Sequence, residues 1–164
     1  MTMPVTLENM IQSKTFDTAI DRKHPVKFLG WVLGISEDRR LTPKALRIIN
    51  LSSYATVAGL ELGRGMSDAC NNIPYSPISG LADITPIITT AQSVTRGITA
   101  FHQINSEESS SSYQDIVGKQ LMGASGSAVS MAATFYTSLG IGRTAYSIGY
   151  GLTITWNTII HPLR

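Results

Sequence analysis

The last quarter of the chain is almost free of charge. Between residues 120 and 163 only Arg143 is charged, and it divides the stretch into segments of 23 and 20 residues. A helix needs about 20 largely apolar residues to cross the hydrocarbon core of a bilayer, so each segment has roughly that length. The stretch therefore predicts a helical hairpin with its turn at 140–143, buried either in a membrane or in a tightly packed bundle.

Small residues recur at every fourth position in this stretch and in two earlier segments. Glycine, alanine and hydroxyl side chains at that spacing let two helix backbones approach closely. The predicted helix-packing residues are Ala55, Gly59, Gly63, Ser93, Gly97, Gly126, Ser130, Thr134, Ser138 and Gly142. A tightly packed soluble hairpin would carry the same stripes, so they do not decide between lipid and water.

The two C-terminal segments are rich in Ser, Thr, Gly and Tyr, which makes their hydrophobicity marginal for insertion. In a membrane, Lys119, Arg143 and Arg164 would contact the lipid surface, whereas in a soluble protein they would be solvated charges. The N-terminus lacks the basic start and apolar run of a signal peptide. The single cysteine, Cys70, excludes an internal disulfide and suits a reducing compartment.

Two Thr-Pro pairs mark helix starts, because a threonine can cap the helix and proline is tolerated at the first helical position. They predict helices from Thr42 to about Arg64 and from Thr85 to about His102. The apolar run 26–35 is short, and we interpret it as a helix of two to three turns with a strand as the alternative.

The segment 144–160 fits two patterns. Apolar and small residues alternate strictly from Tyr146 to Asn157, which is typical of a strand. Ala145, Ile148, Leu152 and Trp156 also form one helical face, and the helix is favoured because an isolated strand would lack a partner. We predict an all-α bundle of four to five helices with a C-terminal helical hairpin; the alternative is an α+β fold with a short C-terminal β-hairpin.

Composition suggests two regions. Residues 1–41 form an amphipathic, basic N-terminal region, and residues 42–164 form the helical bundle rich in small residues. The serine-rich segment 105–112 is predicted to be a flexible connection within the bundle.

No catalytic or ligand-binding motif is complete. Residues 137–144 approach a phosphate-binding loop, but Thr137 and Arg143 stand where glycine and lysine are needed. The three histidines and Cys70 have no metal-ligand spacing, and a net charge of +2 is too small to indicate nucleic-acid binding. We therefore expect no enzyme activity, no cofactor, no metal and no small-molecule substrate. Arg96, midway along an uncharged segment, is expected on an exposed face or as a buried charge.

These features favour a non-enzymatic, membrane-associated helical protein. It would insert or oligomerise through its small-residue faces, in membrane remodelling, in a pore or in an assembly. Its expected partners are membrane lipids and either further copies of the chain or another protein. The alternative is a soluble helical assembly module that buries the same faces against a partner or itself.

Overall fold

A computed structural model of the chain describes residues 25–36, 42–77, 84–106 and 113–159. These residues form four helices: α1 (Pro25–Val32), α2 (Lys44–Cys70), α3 (Ile84–Asn105) and α4 (Tyr113–Ile159). The described ranges contain no strand. The predicted all-α helical bundle is therefore confirmed, and the alternative with a C-terminal β-hairpin is not supported.

Both Thr-Pro pairs lie at helix starts. Helix α2 begins directly after Pro43, and α3 begins at Ile84, one residue before the second pair. Helix α2 continues past the predicted end at Arg64 to Cys70, and its last turn is held in the fold by the buried residues Asp68 and Ala69. It stops where Asn72 adopts a left-handed conformation with φ of 54°, a common way to end a helix.

The apolar run 26–35 is largely helical, and its end is made by glycine. Gly34 has a φ of 67°, which glycine adopts without a steric penalty. The backbone N–H groups of Ile35 and Ser36 both donate to the carbonyl oxygen of Gly30, at 2.8 and 3.0 Å. These bonds satisfy a carbonyl at the C-terminus of α1, so the alternative assignment of a strand does not hold.

The predicted helical hairpin is present, but its arms are α3 and α4. A side chain at Gly97 would meet Met131, and one at Gly123 would meet Phe101, so the two helices run antiparallel. The turn predicted at 140–143 is wrong, because α4 is one uninterrupted helix of 47 residues. Gly142 does not form a turn; it lets α4 pack closely against Val57 of α2.

The chain divides into two compact units, and each consists of two separate stretches of sequence. Unit 1 is Met1–Ile48 with Val94–Ala133, and unit 2 is Ile49–Ser93 with Thr134–Arg164. The predicted boundary at residues 41 and 42 stays a prediction, since 37–41 lie outside the described residues. Of the predicted flexible connection 105–112, residues 107–112 also lie outside them.

Unit 1 has a small apolar core, which joins α1 to α3. Trp31 and Val32 pack with Ala100 and Ile104, and Met122 and Ala133 of α4 cover this cluster. The side chain of Ile104 fills the space that the missing side chain of Gly126 leaves open. The core therefore depends on a close approach of α3 and α4.

Arg96 is buried in unit 1, with 2% of its surface exposed. Its guanidinium donates to the carbonyl oxygens of Trp31 and Val32, the last two residues of α1, and to Oε1 of Gln103. The charge also lies 5.0 Å from the centre of the Trp31 ring. A cation at this position interacts favourably with the negative, C-terminal end of the helix dipole. Arg96 therefore stabilises the end of α1.

None of the helices in the described ranges combines the length and the hydropathy that crossing a membrane requires. The prediction of membrane-spanning helices is corrected on this point. Helix α4 is long enough, but the glycine and hydroxyl residues spread along it lower its mean hydropathy.

Candidate interaction surface on unit 2

The interior of unit 2 is dominated by polar side chains. Among its described residues, ten polar side chains are buried against five apolar or aromatic ones. The polar set is Asn50, Glu61, Asp68, Thr85, Thr89, Gln92, Ser93, Thr134, Ser138 and Thr153. The apolar and aromatic set is Tyr54, Val57, Ala69, Ala145 and Tyr146. Water-soluble proteins usually have the reverse distribution.

Hydrogen bonds between helices satisfy part of this polar interior. Thr85 Oγ1 donates to Glu61 Oε1 at 2.5 Å, and the hydroxyls of Thr89 and Ser138 lie 3.1 Å apart. Gln92 Nε2 donates to a backbone carbonyl of α2 at 3.3 Å. Thr134 Oγ1 is buried without a hydrogen-bond partner. The inner faces of the three helices are thus joined by hydroxyl, amide and carboxyl groups rather than by a large apolar core.

The small-residue stripes predicted on α3 and α4 lie on the inward faces of these helices. In unit 2, Thr134 and Ser138 have no exposed surface, and Ser93 and Gly142 are also buried. In unit 1, Ser130 is fully buried. Met131 occupies the space that a side chain at Gly97 would fill, and Ile104 occupies the corresponding space at Gly126. These stripes are therefore used for contacts within the chain.

The stripe predicted on α2 lies elsewhere. Ala55, Gly59 and Gly63 are exposed, and a Cβ atom added to either glycine would meet none of the described atoms within 4 Å. The close contact of α2 with α4 is made by Gly65, which faces the backbone of Tyr146, and by Gly149, which faces the backbone of Leu62. Spacing-four reasoning missed both glycines, because neither belongs to a predicted stripe.

A cluster of tyrosines attaches the segment after α2 to α4. Tyr146 OH donates to Asp68 Oδ2 at 2.9 Å and accepts from the backbone N–H of Ser76 at 3.3 Å. Tyr150 OH donates to the carbonyl oxygen of Ile73 at 3.0 Å. Arg64 lies 3.7 Å from Asp68 and faces the Tyr146 ring. No sequence motif indicated this cluster, because the two tyrosines of α4 lie 70 to 78 residues from the groups that they bond.

Burial raises the pKa of Tyr146 above its ordinary value, and the hydrogen bond to Asp68 acts in the same direction. The folded state therefore favours the neutral phenol. The stability that the buried, neutral Tyr146 contributes is fully present below the unfolded-state pKa of about 10. It is lost as the pH rises through the higher folded-state pKa. We expect the melting temperature to fall above about pH 10, and to fall less steeply in Tyr146→Phe.

The variant has a second expected effect, which checks the first. At neutral pH, Tyr146→Phe should lose about 1–2 kcal/mol of stability, because Asp68 loses a buried hydrogen bond. Tyr136→Phe is the control, since Tyr136 is 72% exposed. Thermal melts followed by circular dichroism at several alkaline pH values measure both effects. An unchanged alkaline slope in Tyr146→Phe would contradict the assignment.

The outer surface of unit 2 is rich in large apolar side chains. Fourteen of them are exposed in its described residues: Ile49, Leu51, Leu60, Met66, Ile73, Tyr75, Ile84, Ile87, Tyr136, Ile148, Leu152, Ile154, Trp156 and Ile159. In the same residues the only exposed charged side chain is Arg143, since Glu61 and Asp68 are buried and Arg64 is half-buried. This surface is the candidate functional site.

Several hydroxyl groups on this surface are satisfied by their own helices. Thr56, Thr144 and Thr155 are exposed, and each donates to the backbone carbonyl four residues earlier, at 2.8–2.9 Å. Ser53 and Ser147 make the same bond. The donor hydrogens of these side chains therefore do not require water as an acceptor.

The structure describes two of the three cations predicted at a membrane surface. Arg143 lies within α4 rather than at a turn, and it is exposed. Lys119 is half-buried and belongs to unit 1, and Arg164 lies outside the described residues.

Within the described part of the chain, no three His, Cys, Asp or Glu side chains are placed to hold a metal ion. Cys70 is exposed as a free thiol. Comparison of the chain with protein families, with curated proteins and with solved structures finds no match in any of the three.

Proposed function

We propose that the chain is a non-enzymatic, membrane-associated protein that buries the outer surface of unit 2 in lipid. The observation that supports this proposal is the reversed polarity of the unit, with polar groups inside and large apolar side chains outside. Monomeric soluble proteins rarely expose large contiguous apolar patches, and larger patches mark protein or membrane contacts. Such a surface suits a role in membrane remodelling, in a pore or in a membrane assembly.

Several of the exposed hydroxyl groups are compatible with lipid. In hydrocarbon an unsatisfied polar group costs several kcal/mol, because no water is present to bond to it. The hydroxyls of Thr56, Thr144 and Thr155 donate within their own helices, which lowers that cost. The proposal concerns lipid contact along the outer face of the unit, and it does not require a helix that crosses the membrane.

The two tryptophans of the chain provide a direct test. Trp156 is 58% exposed on unit 2, whereas Trp31 is 3% exposed in the core of unit 1. We expect phospholipid vesicles with brominated acyl chains to quench the fluorescence of the full chain, because bromine atoms in the hydrocarbon would contact Trp156. In Trp156→Phe the remaining emission comes from Trp31 and should be quenched much less.

Each outcome of this experiment bears on the proposal. Quenching that depends on Trp156 supports contact of unit 2 with hydrocarbon. Quenching of equal size in wild type and Trp156→Phe would contradict it, as would no quenching in either protein. Fractionation of expressing cells gives an independent check. Retention in the membrane pellet after carbonate extraction is expected. Recovery in the soluble fraction before any extraction would refute the proposal.

A second candidate is a soluble assembly module, and the outer stripe of α2 favours it. Ala55, Gly59 and Gly63 leave open space along an exposed helix. A helix of another copy of the chain could approach closely there. The described contacts within the chain do not use this space. In this case the protein would form oligomers without lipid, and Gly59→Leu would dissociate them in size-exclusion chromatography with light scattering.

A further inference from the structure

We propose that Arg143 binds the phosphate of an anionic phospholipid headgroup and thereby fixes the depth at which unit 2 meets the membrane. The inference rests on the proposed contact of unit 2 with lipid. It concerns the one exposed charge of a surface that is otherwise uncharged in the described residues.

The guanidinium of Arg143 has no partner among the described residues. It makes no hydrogen bond, ion pair or ring contact with them, whereas Arg64 and Arg96 are held by protein groups. A charged group next to hydrocarbon is costly unless an anion pairs with it. Phosphate is the anion present at every phospholipid surface, and the planar fork of arginine can donate two parallel hydrogen bonds to it.

The surroundings of Arg143 leave room for a headgroup. Helical side chains point toward the N-terminus of their helix, so the guanidinium lies on the side of Gly140, which precedes it by one turn. A Cβ atom at Gly140 would meet no described atom within 4 Å. Tyr136, two turns before Arg143 on the same face, is 72% exposed, and tyrosine favours the boundary between lipid and water.

Charge on the same surface favours an anionic lipid. Unit 2 has no exposed carboxylate in its described residues, so nothing there opposes a negative headgroup. Beyond Arg143, α4 continues for 16 uncharged residues to Ile159, roughly 24 Å of helix, with Leu152 and Trp156 exposed. A headgroup contact at Arg143 would leave the exposed apolar side chains of this part of the helix against the acyl chains.

The test compares binding of the full chain to two kinds of vesicle, one of phosphatidylcholine and one of phosphatidylcholine with phosphatidylglycerol. Co-sedimentation gives the partition coefficient for each. We expect wild type to bind the anionic vesicles with the larger partition coefficient. In Arg143→Gln the ratio of the two partition coefficients should fall about fivefold, which corresponds to the loss of one basic charge at the surface. Binding to pure phosphatidylcholine should fall less, because the choline cation of that headgroup already neutralises its phosphate and the apolar contact is retained.

The matched control is Lys44→Gln, which removes an equal charge from an exposed position in unit 1. It should reduce the preference for anionic vesicles less than Arg143→Gln does. Equal losses in the two variants would overturn the inference, because Arg143 would then act only through net charge. No loss in Arg143→Gln would also overturn it, while leaving lipid contact intact. Wild type that binds neither vesicle would instead refute the proposed function, and this inference with it.

Discussion

Replacing Gly65 by alanine is expected to destabilise unit 2 by about 3 kcal/mol or more. The added methyl group would overlap the carbonyl oxygen of Tyr146 and lie 2.9 Å from the backbone nitrogen of Tyr150. Both obstacles are backbone atoms of a helix, so neither moves aside without separating α2 from α4. The expected result is a large drop in the thermal midpoint of the full chain, measured by circular dichroism.

The same helix offers a matched control two residues away. Gly63 has open space around it among the described atoms, and its backbone is helical. Gly63→Ala should therefore raise stability by about 0.5–1 kcal/mol, since alanine loses less backbone entropy in a helix than glycine. Opposite signs for the two substitutions would support the close approach of α2 and α4 at Gly65. A mild effect at Gly65 would mean that the helices are farther apart.

Replacing Arg96 by methionine is expected to lower the free energy of unfolding by about 2–4 kcal/mol. Methionine keeps an apolar stem of similar length but removes the donors that serve the carbonyls of Trp31 and Val32. The end of α1 would then carry buried acceptors without donors. Because Trp31 lies at this contact, its emission should shift to longer wavelength, and a Trp156→Phe background isolates its signal.

Two further substitutions define what Arg96 supplies. Arg143→Met removes an exposed arginine and should change stability by no more than about 0.5 kcal/mol. Arg96→Lys keeps the charge but lacks the planar fork, so it should recover only part of the stability. If Arg96→Met unfolded at the same denaturant concentration as wild type, the guanidinium would not be what fixes α1.

Local sequence signals were sufficient to place the starts of α2 and α3. The Thr-Pro pairs before α2 and within the first turn of α3 act on the adjacent backbone, so their effect does not depend on tertiary contacts. The assignment of 144–160 to helix rested on the lack of a strand partner, and α4 extends through that segment. The alternation of Tyr146 to Asn157 was misleading because small and hydroxyl residues fit both the inward and the outward face of a helix.

The arrangement of the helices depends on contacts that sequence spacing does not encode. Gly34 ends a helix, whereas Gly142 lies inside one and permits close packing, and the two are not distinguishable without knowing the neighbouring helix. The burial of Arg96 likewise depends on where the end of α1 packs. The outer surface of unit 2 could be foreseen only as a lack of charge, since the sequence does not say which apolar residues face outward.

The tyrosine cluster of unit 2 has a consequence for synthesis on the ribosome. Asp68 and its partner Tyr146 are 78 residues apart, so α2 leaves the ribosome well before the helix that completes the unit. At translation rates of about 5–20 residues per second, this gap lasts roughly 4–16 s. During that interval the inner face of α2 lacks its final surroundings. The nascent chain therefore presents a target for chaperones or for a targeting factor before Tyr146 has been made.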